Sequence, residues 1–206
     1  MEPLVTDTRD QHGRLRSDRG VWRQATTLAA AGELTARWLE SHSEFQPGTF
    51  APSFDEETRP IAAELAEINR NGLFTKESQP GIRADAGHAQ RQLAQRQYVT
   101  GFCSAEAAAE LMALSTRTEL ITVGHAPGEV SAAAIPVTFD GDAVVTVLGS
   151  SENPVDEDQL RDWSDETNET LALLLADSWY VEVLDPVWGR NDVLLPEVLS
   201  ALRQLP

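Results

Sequence analysis

Cysteine is all but missing from this chain of 206 residues: Cys103 stands alone, so no disulfide can form within it. The fold has to rest on packing, and the chain is long enough to build a core without covalent staples. A single cysteine fits a reducing compartment. No run approaches the roughly 18 apolar residues of a membrane span, and the N-terminus has no apolar stretch of signal-peptide type, so a cytoplasmic location is expected. Basic charge is also scarce. Lys and Arg number 16 against 33 Asp and Glu, a formal net charge of −17. That balance excludes a nucleic acid or an anionic membrane as direct partner, because both bind cationic surfaces.

Familiar catalytic signatures are missing too. The chain has no G-x-x-x-x-G-K-[ST], no G-x-G-x-x-G after a strand, no H-E-x-x-H, no paired C-x-x-C and no G-x-S-x-G. No cofactor is expected. Asp85, His88 and His125 carry metal-ligating atoms, but no i, i+3 or i+4 pairing gathers them on one face, so no metal site is expected either.

What is present reads as alternating elements. Residues 1–20 are polar, non-periodic and balanced in charge, and predict a disordered tail ahead of a single α/β domain over residues 21–206. Helical spacing appears over residues 22–39 and again at Ile61, Leu65 and Ile68, with Pro60 in the first turn and Asn71-Gly72 as the stop. A short strand over residues 73–77 ends at the turn Ser78-Gln79-Pro80-Gly81. A polar helix is expected over residues 87–96.

Residues 98–103 and 120–123 read as strands joined by a helix that Ser104 caps. The short connections predict a parallel β-α-β unit. Two β-rich runs around Asp140-Gly141 predict an antiparallel hairpin with a type I′ turn. Asp156 and Gln159 form a capping box for a long helix with Leu160, Trp163, Leu171 and Leu174 inside, followed by a strand over residues 179–184 and a terminal helix. The expected architecture is one mixed sheet, part parallel and part hairpin, flanked by helices.

Three chemistries are open on these residues. If the strands were parallel neighbours, Ser78 or Cys103 would meet His125 at their carboxyl ends, an arrangement for nucleophilic catalysis by a hydrolase or transferase. Residues 151–178 hold nine acids against Arg161 alone. Asp158, Asp162, Asp165 and Glu169 on that segment would let an interaction protein occupy the basic cleft of a nucleic-acid-binding enzyme. Asn168-Glu169-Thr170 matches a glycosylation sequon, which a cytoplasmic chain never presents to that enzyme.

Three stretches carry a resemblance: Trp22-Arg23 with Gly32-Glu33-Leu34-Thr35-Ala36-Arg37-Trp38-Leu39; Ile68-Asn69-Arg70-Asn71-Gly72-Leu73-Phe74-Thr75 leading into Ser78-Gln79-Pro80-Gly81; and Gln95-Arg96-Gln97-Tyr98-Val99-Thr100-Gly101-Phe102. They resemble an uncharacterised family of domains of unknown function found mainly in actinobacteria and their phages. The resemblance carries no activity. It implies that the Ser-Gln-Pro-Gly turn and the Gln-Arg stretch form one unit. A loop displaying Thr75, Ser78 and Gln79, with the planar donor fork of Arg96, suits a carboxylate, phosphate or amide. The leading expectation is therefore a binding protein that takes a small polar ligand or a peptide at this loop. The partner is that ligand or a protein.

Overall fold

The computed structural model describes residues 9–49, 51–84, 93–129, 131–150 and 167–205. The elements in chain order are α1 (Arg16–Trp22), α2 (Leu28–Leu39), a 3-10 turn (Arg59–Ile61), α3 (Ala62–Arg70), β1 (Phe74–Gln79) and β2 (Leu93–Cys103). There follow α4 (Ala105–Met112), α5 (Leu114–Arg117), β3 (Ile121–His125), β4 (Ala132–Asp140) and β5 (Ala143–Ser150). The chain closes with α6 (Glu169–Ala176), β6 (Trp179–Trp188) and α7 (Leu194–Leu202).

The strands form one sheet in the order β3-β6-β2-β4-β5, with β1 on β2, and every pair is antiparallel. This overturns the parallel part of the expected mixed sheet. The strands β2 and β3 do flank a helix, but β6 lies between them and runs against both. β6 is buried over most of its length, so it reads as a near-continuous apolar run, and such a run does not name its neighbours. The hairpin β4-β5 is present. Its loop is Gly141-Asp142, with Gly141 alone at positive φ (60°), which is the requirement of a type II′ turn rather than I′.

Local signals explain the helix ends. Of the helical stretch expected over residues 22–39, α1 ends at Trp22 and helix resumes only at Leu28, where the Thr27 side chain accepts from the Ala30 amide and starts α2. Ser104 caps α4 in the same way. The long helix expected from Asp156 falls on residues 151–166, outside the described residues. Its later part is α6, capped independently by Asn168, whose side chain accepts from the Leu171 amide at 2.9 Å and donates to the carbonyls of Trp22, Arg23 and Ala25. Of the polar helix expected over residues 87–96, residues 93–96 are strand and the rest lies outside the described residues.

Directly paired residues on antiparallel strands share a face, and successive residues alternate. One face carries Val99, Cys103, Val181 and Val183 against α3, α4 and α7. The other carries Phe74, Phe102 and Tyr180 against Trp22, Phe45 and α6, and, further along, Tyr98 and Leu184 beneath Val137 and Leu148 of the hairpin. Ahead of α2 the chain also makes contacts with the body. Arg14 is buried, donates to Asp10 and to the Thr49 carbonyl, and lies 4.5 Å from the centre of the Phe45 ring.

Two glycine-type positions set the geometry around α2. A Cβ on Gly32 would stand 2.4 Å from the Asn69 carbonyl oxygen, so α2 and α3 touch through backbone. The end of α2 is a Schellman turn, with the Ser41 amide on the Trp38 carbonyl and the His42 amide on that of Arg37, which places Ser41 at φ 61°. Gly32→Ala is expected to lower unfolding stability by about 1–3 kcal/mol through forced separation of the helices. Ser41→Gly is expected to raise it by roughly 0.5–1 kcal/mol, because glycine occupies the left-handed region without a Cβ clash. Chemical denaturation of the two variants measures both.

Candidate ligand-binding cleft

β1 is an edge strand: among the described residues it pairs with β2 alone. Along its outer margin runs a cleft of about 530 Å³. Thr35, Trp38 and Leu39 from the end of α2 form one wall, the residues from Gln46 to Thr49 a second, and Thr75 to Gln79 with Tyr98 the third. A neighbouring lobe of about 470 Å³ shares Trp38, Thr49, Asp55 and Thr58, and adds Phe54, which meets the Trp38 ring edge-on at 5.7 Å.

The walls are held by hydrogen bonds that the sequence makes locally. The Schellman turn reverses the chain so that Gln46 returns beside α2, where Thr35 donates to its side-chain oxygen at 3.2 Å and Thr49 to its carbonyl at 2.8 Å. Asn69, buried at the end of α3, donates to the Leu65 carbonyl and to the Thr75 hydroxyl, both at 2.8 Å, and accepts from the Thr75 amide. Arg70 joins Glu33 and Glu40 of α2's outer side to α3.

The Ser-Gln-Pro-Gly turn is held from inside. The Gln95 amide nitrogen donates to the Pro80 carbonyl at 2.7 Å and to the Gln79 side chain at 3.3 Å, while Thr138 donates to the Gln95 side-chain oxygen. Asn191 accepts from the Gly81 amide and donates to its carbonyl. Pro80 and Gly81 are thus structural. Ser78 differs: half-buried on the cleft wall, its hydroxyl makes no hydrogen bond among the described residues.

Arg96 does not line this cleft. Its guanidinium stacks 4.4 Å from the centre of the Trp188 ring and donates to the Pro136 carbonyl. Burial lowers its pKa, opposed by the charge of Asp185. The residue of that stretch that reaches the cleft is Tyr98, with its pKa raised by burial and by the Glu77 charge, so its phenol stays a donor.

The nucleophile and base candidates are not brought together. His125 pairs with Tyr180, which pairs with Phe102, so the imidazole belongs to their face; Cys103 and Val99, the partner of Ser78, belong to the other. β6 also separates β2 from β3, about 9–10 Å for two strand spacings. Cys103 is fully buried, and burial pushes its thiol up to about 12. It is a core residue.

His125 instead meets a residue that sequence reasoning missed. Its Nε2 lies 3.2 Å from Oε2 of Glu182, which is fully buried and accepts from the Gly149 amide at 2.6 Å. The signal was present: one acid inside the apolar run of residues 179–184. Glu182 pairs with Thr100, and Thr100 with Glu77, which makes a polar row across three strands between the two apolar clusters of that face.

Asp158, Asp162 and Asp165 lie outside the described residues, as do Asp85 and His88; Glu169 is the first residue of α6. Among the described residues no group of three His, Cys, Asp or Glu is placed to hold a metal, and no helix is long and apolar enough to cross a membrane.

Fold and site together define an antiparallel α/β domain with a cleft of small-molecule size at one sheet edge. Residues 17–205 match a domain of unknown function, DUF6919, and the chain belongs to that family. The match spans every wall of the cleft. No curated protein matches the chain.

Two outcomes follow from the buried groups. Native protein at neutral pH is expected to resist alkylation of Cys103, with labelling only on unfolding; mass spectrometry after iodoacetamide reads this. Glu182→Ala strands the Gly149 amide and the His125 ring without their acceptor, and is expected to lower stability by about 2–4 kcal/mol in denaturant titration.

Proposed function

We propose that this protein binds a small polar ligand in the cleft beside β1. The observation that supports this most is convergence. The three stretches that carried the resemblance lie apart in sequence, yet each contributes to the same cavity: Thr35, Trp38 and Leu39 from the first, Thr75, Ser78 and Gln79 from the second, Tyr98 from the third. The volume falls within the range of small-molecule sites, about 300–1,000 Å³. Its lining mixes hydroxyls and amides with an aromatic wall, the composition that orients a ligand by a few polar contacts.

A peptide added to β1 as a further strand is less favoured. Lys76 and the bulge between Thr75 and Glu77 interrupt the strand's outer edge, and both features oppose strand addition. A compact ligand avoids that difficulty. With His125 on the far face from Ser78, binding without bond cleavage is the simpler chemistry for the cleft.

The test is a thermal-shift screen of nucleotides, amino acids, sugars and sugar phosphates against the wild type and four variants: Ser78→Ala, Trp38→Leu, the two combined, and Arg96→Ala. A ligand at about a hundred times its dissociation constant adds roughly 2.7 kcal/mol. The expected result is a stabilising compound whose effect disappears in Ser78→Ala/Trp38→Leu and persists in Arg96→Ala. A compound whose effect survives Ser78→Ala, Trp38→Leu and their combination would move the site elsewhere, and a screen without any hit would remove the small-ligand reading.

A further inference from the structure

The charges and rings around the cleft narrow the ligand's chemistry. Among the described residues, three charged side chains line it: Asp55, Lys76 and Glu77. The lysine is engaged within the chain, its Nζ 3.8 Å from Glu77 Oε1 and 5.8 Å from the centre of the Tyr180 ring. Asp55 is not. Its carboxylate makes no hydrogen bond or ion pair among the described residues, whereas the nearby acids Glu33 and Glu40 are held by Arg70 and Glu56 by Arg59. With Arg96 elsewhere, no guanidinium among the described residues lines the cleft to receive an anion. The local field therefore repels phosphate and carboxylate groups, and the net charge of −17 adds to it with the same sign.

Trp38 is the second observation, independent of the acids. It lines both lobes, as Asp55 does, and its ring is braced by the edge contact with Phe54. An indole face attracts a cation through its quadrupole. A ligand that satisfies both features brings a cation for the ring and the carboxylate.

We infer that the ligand of this cleft carries an ammonium or guanidinium group, seated between the Asp55 carboxylate and the Trp38 ring. This rests on the cleft reading above. Amino sugars and arginine-like compounds share that chemistry, and charge-matched pairs separate it from plain hydrogen bonding.

The experiment is isothermal titration at low and at physiological ionic strength with glucosamine against glucose, argininamide against citrulline amide, and inorganic phosphate. At least one cationic probe is expected to bind about tenfold more tightly than its uncharged counterpart and to weaken with salt. Asp55→Asn, an exposed position whose change leaves the melting midpoint unmoved, is expected to weaken that probe by about tenfold. An uncharged probe or phosphate binding as tightly overturns the inference, as does full affinity in Asp55→Asn. If such a probe still depends on Ser78 and Trp38, the cleft reading survives and only the cation falls. Failure of every probe overturns the inference, while the thermal-shift screen still decides the cleft.

Discussion

Asn69 joins three elements at one point. Its carbonyl meets the bare Cα of Gly32, its side-chain nitrogen holds the last turn of α3 and the Thr75 hydroxyl, and its side-chain oxygen takes the Thr75 amide. α2, α3 and β1 are thereby fixed at backbone contact, and the cleft exists because the elements diverge from that point. The amide is nearly fully buried, so each of its bonds is made where water cannot substitute, and leaving one unmade costs the full desolvation of a polar group. A second close approach continues the arrangement on the other side of β1, where a Cβ on Gly101 would lie 2.4 Å from the Phe74 carbonyl oxygen.

The sheet divides the remaining chemistry. One face packs its valines and Cys103 on α3, α4 and α7, while the other carries two apolar clusters with the row Glu77, Thr100 and Glu182 between them. A buried carboxylate is tolerable there because the Gly149 amide and the His125 ring meet it. The same arrangement removes His125 from the cleft. An imidazole committed to a core carboxylate on one face does not serve a hydroxyl paired to the opposite face.

Much of the local structure was legible. Ser104 before an alanine-rich run, Gly72 after α3 and the Gly141 turn between β-rich runs act within a few residues of themselves, so their meaning survives without tertiary context. Thr75, Ser78 and Gln79, expected on a loop, lie on β1 along the cleft. Arg96 was misread because a strand's register decides its face, and the bulge between Arg96 and Tyr98 sends the guanidinium to Trp188 while the tyrosine meets the cleft. Asn168 looked like a chance sequon and is a helix cap that clasps the turn after α1. Nothing within a few residues of it announces a partner so far away in the chain.

The sequence by itself determined the Ser104 cap, the hairpin, the lone cysteine and the acidic character of the chain, because each depends on neighbours in sequence or on composition. Only the tertiary structure decided that β6 enters between β2 and β3, and with that the loss of a parallel unit, the separation of Cys103 and Ser78 from His125, and the pairing of His125 with Glu182. Strand order is a non-local choice: a strand buried on both faces fits beside several others by its own residues, and the packing of the whole sheet selects one.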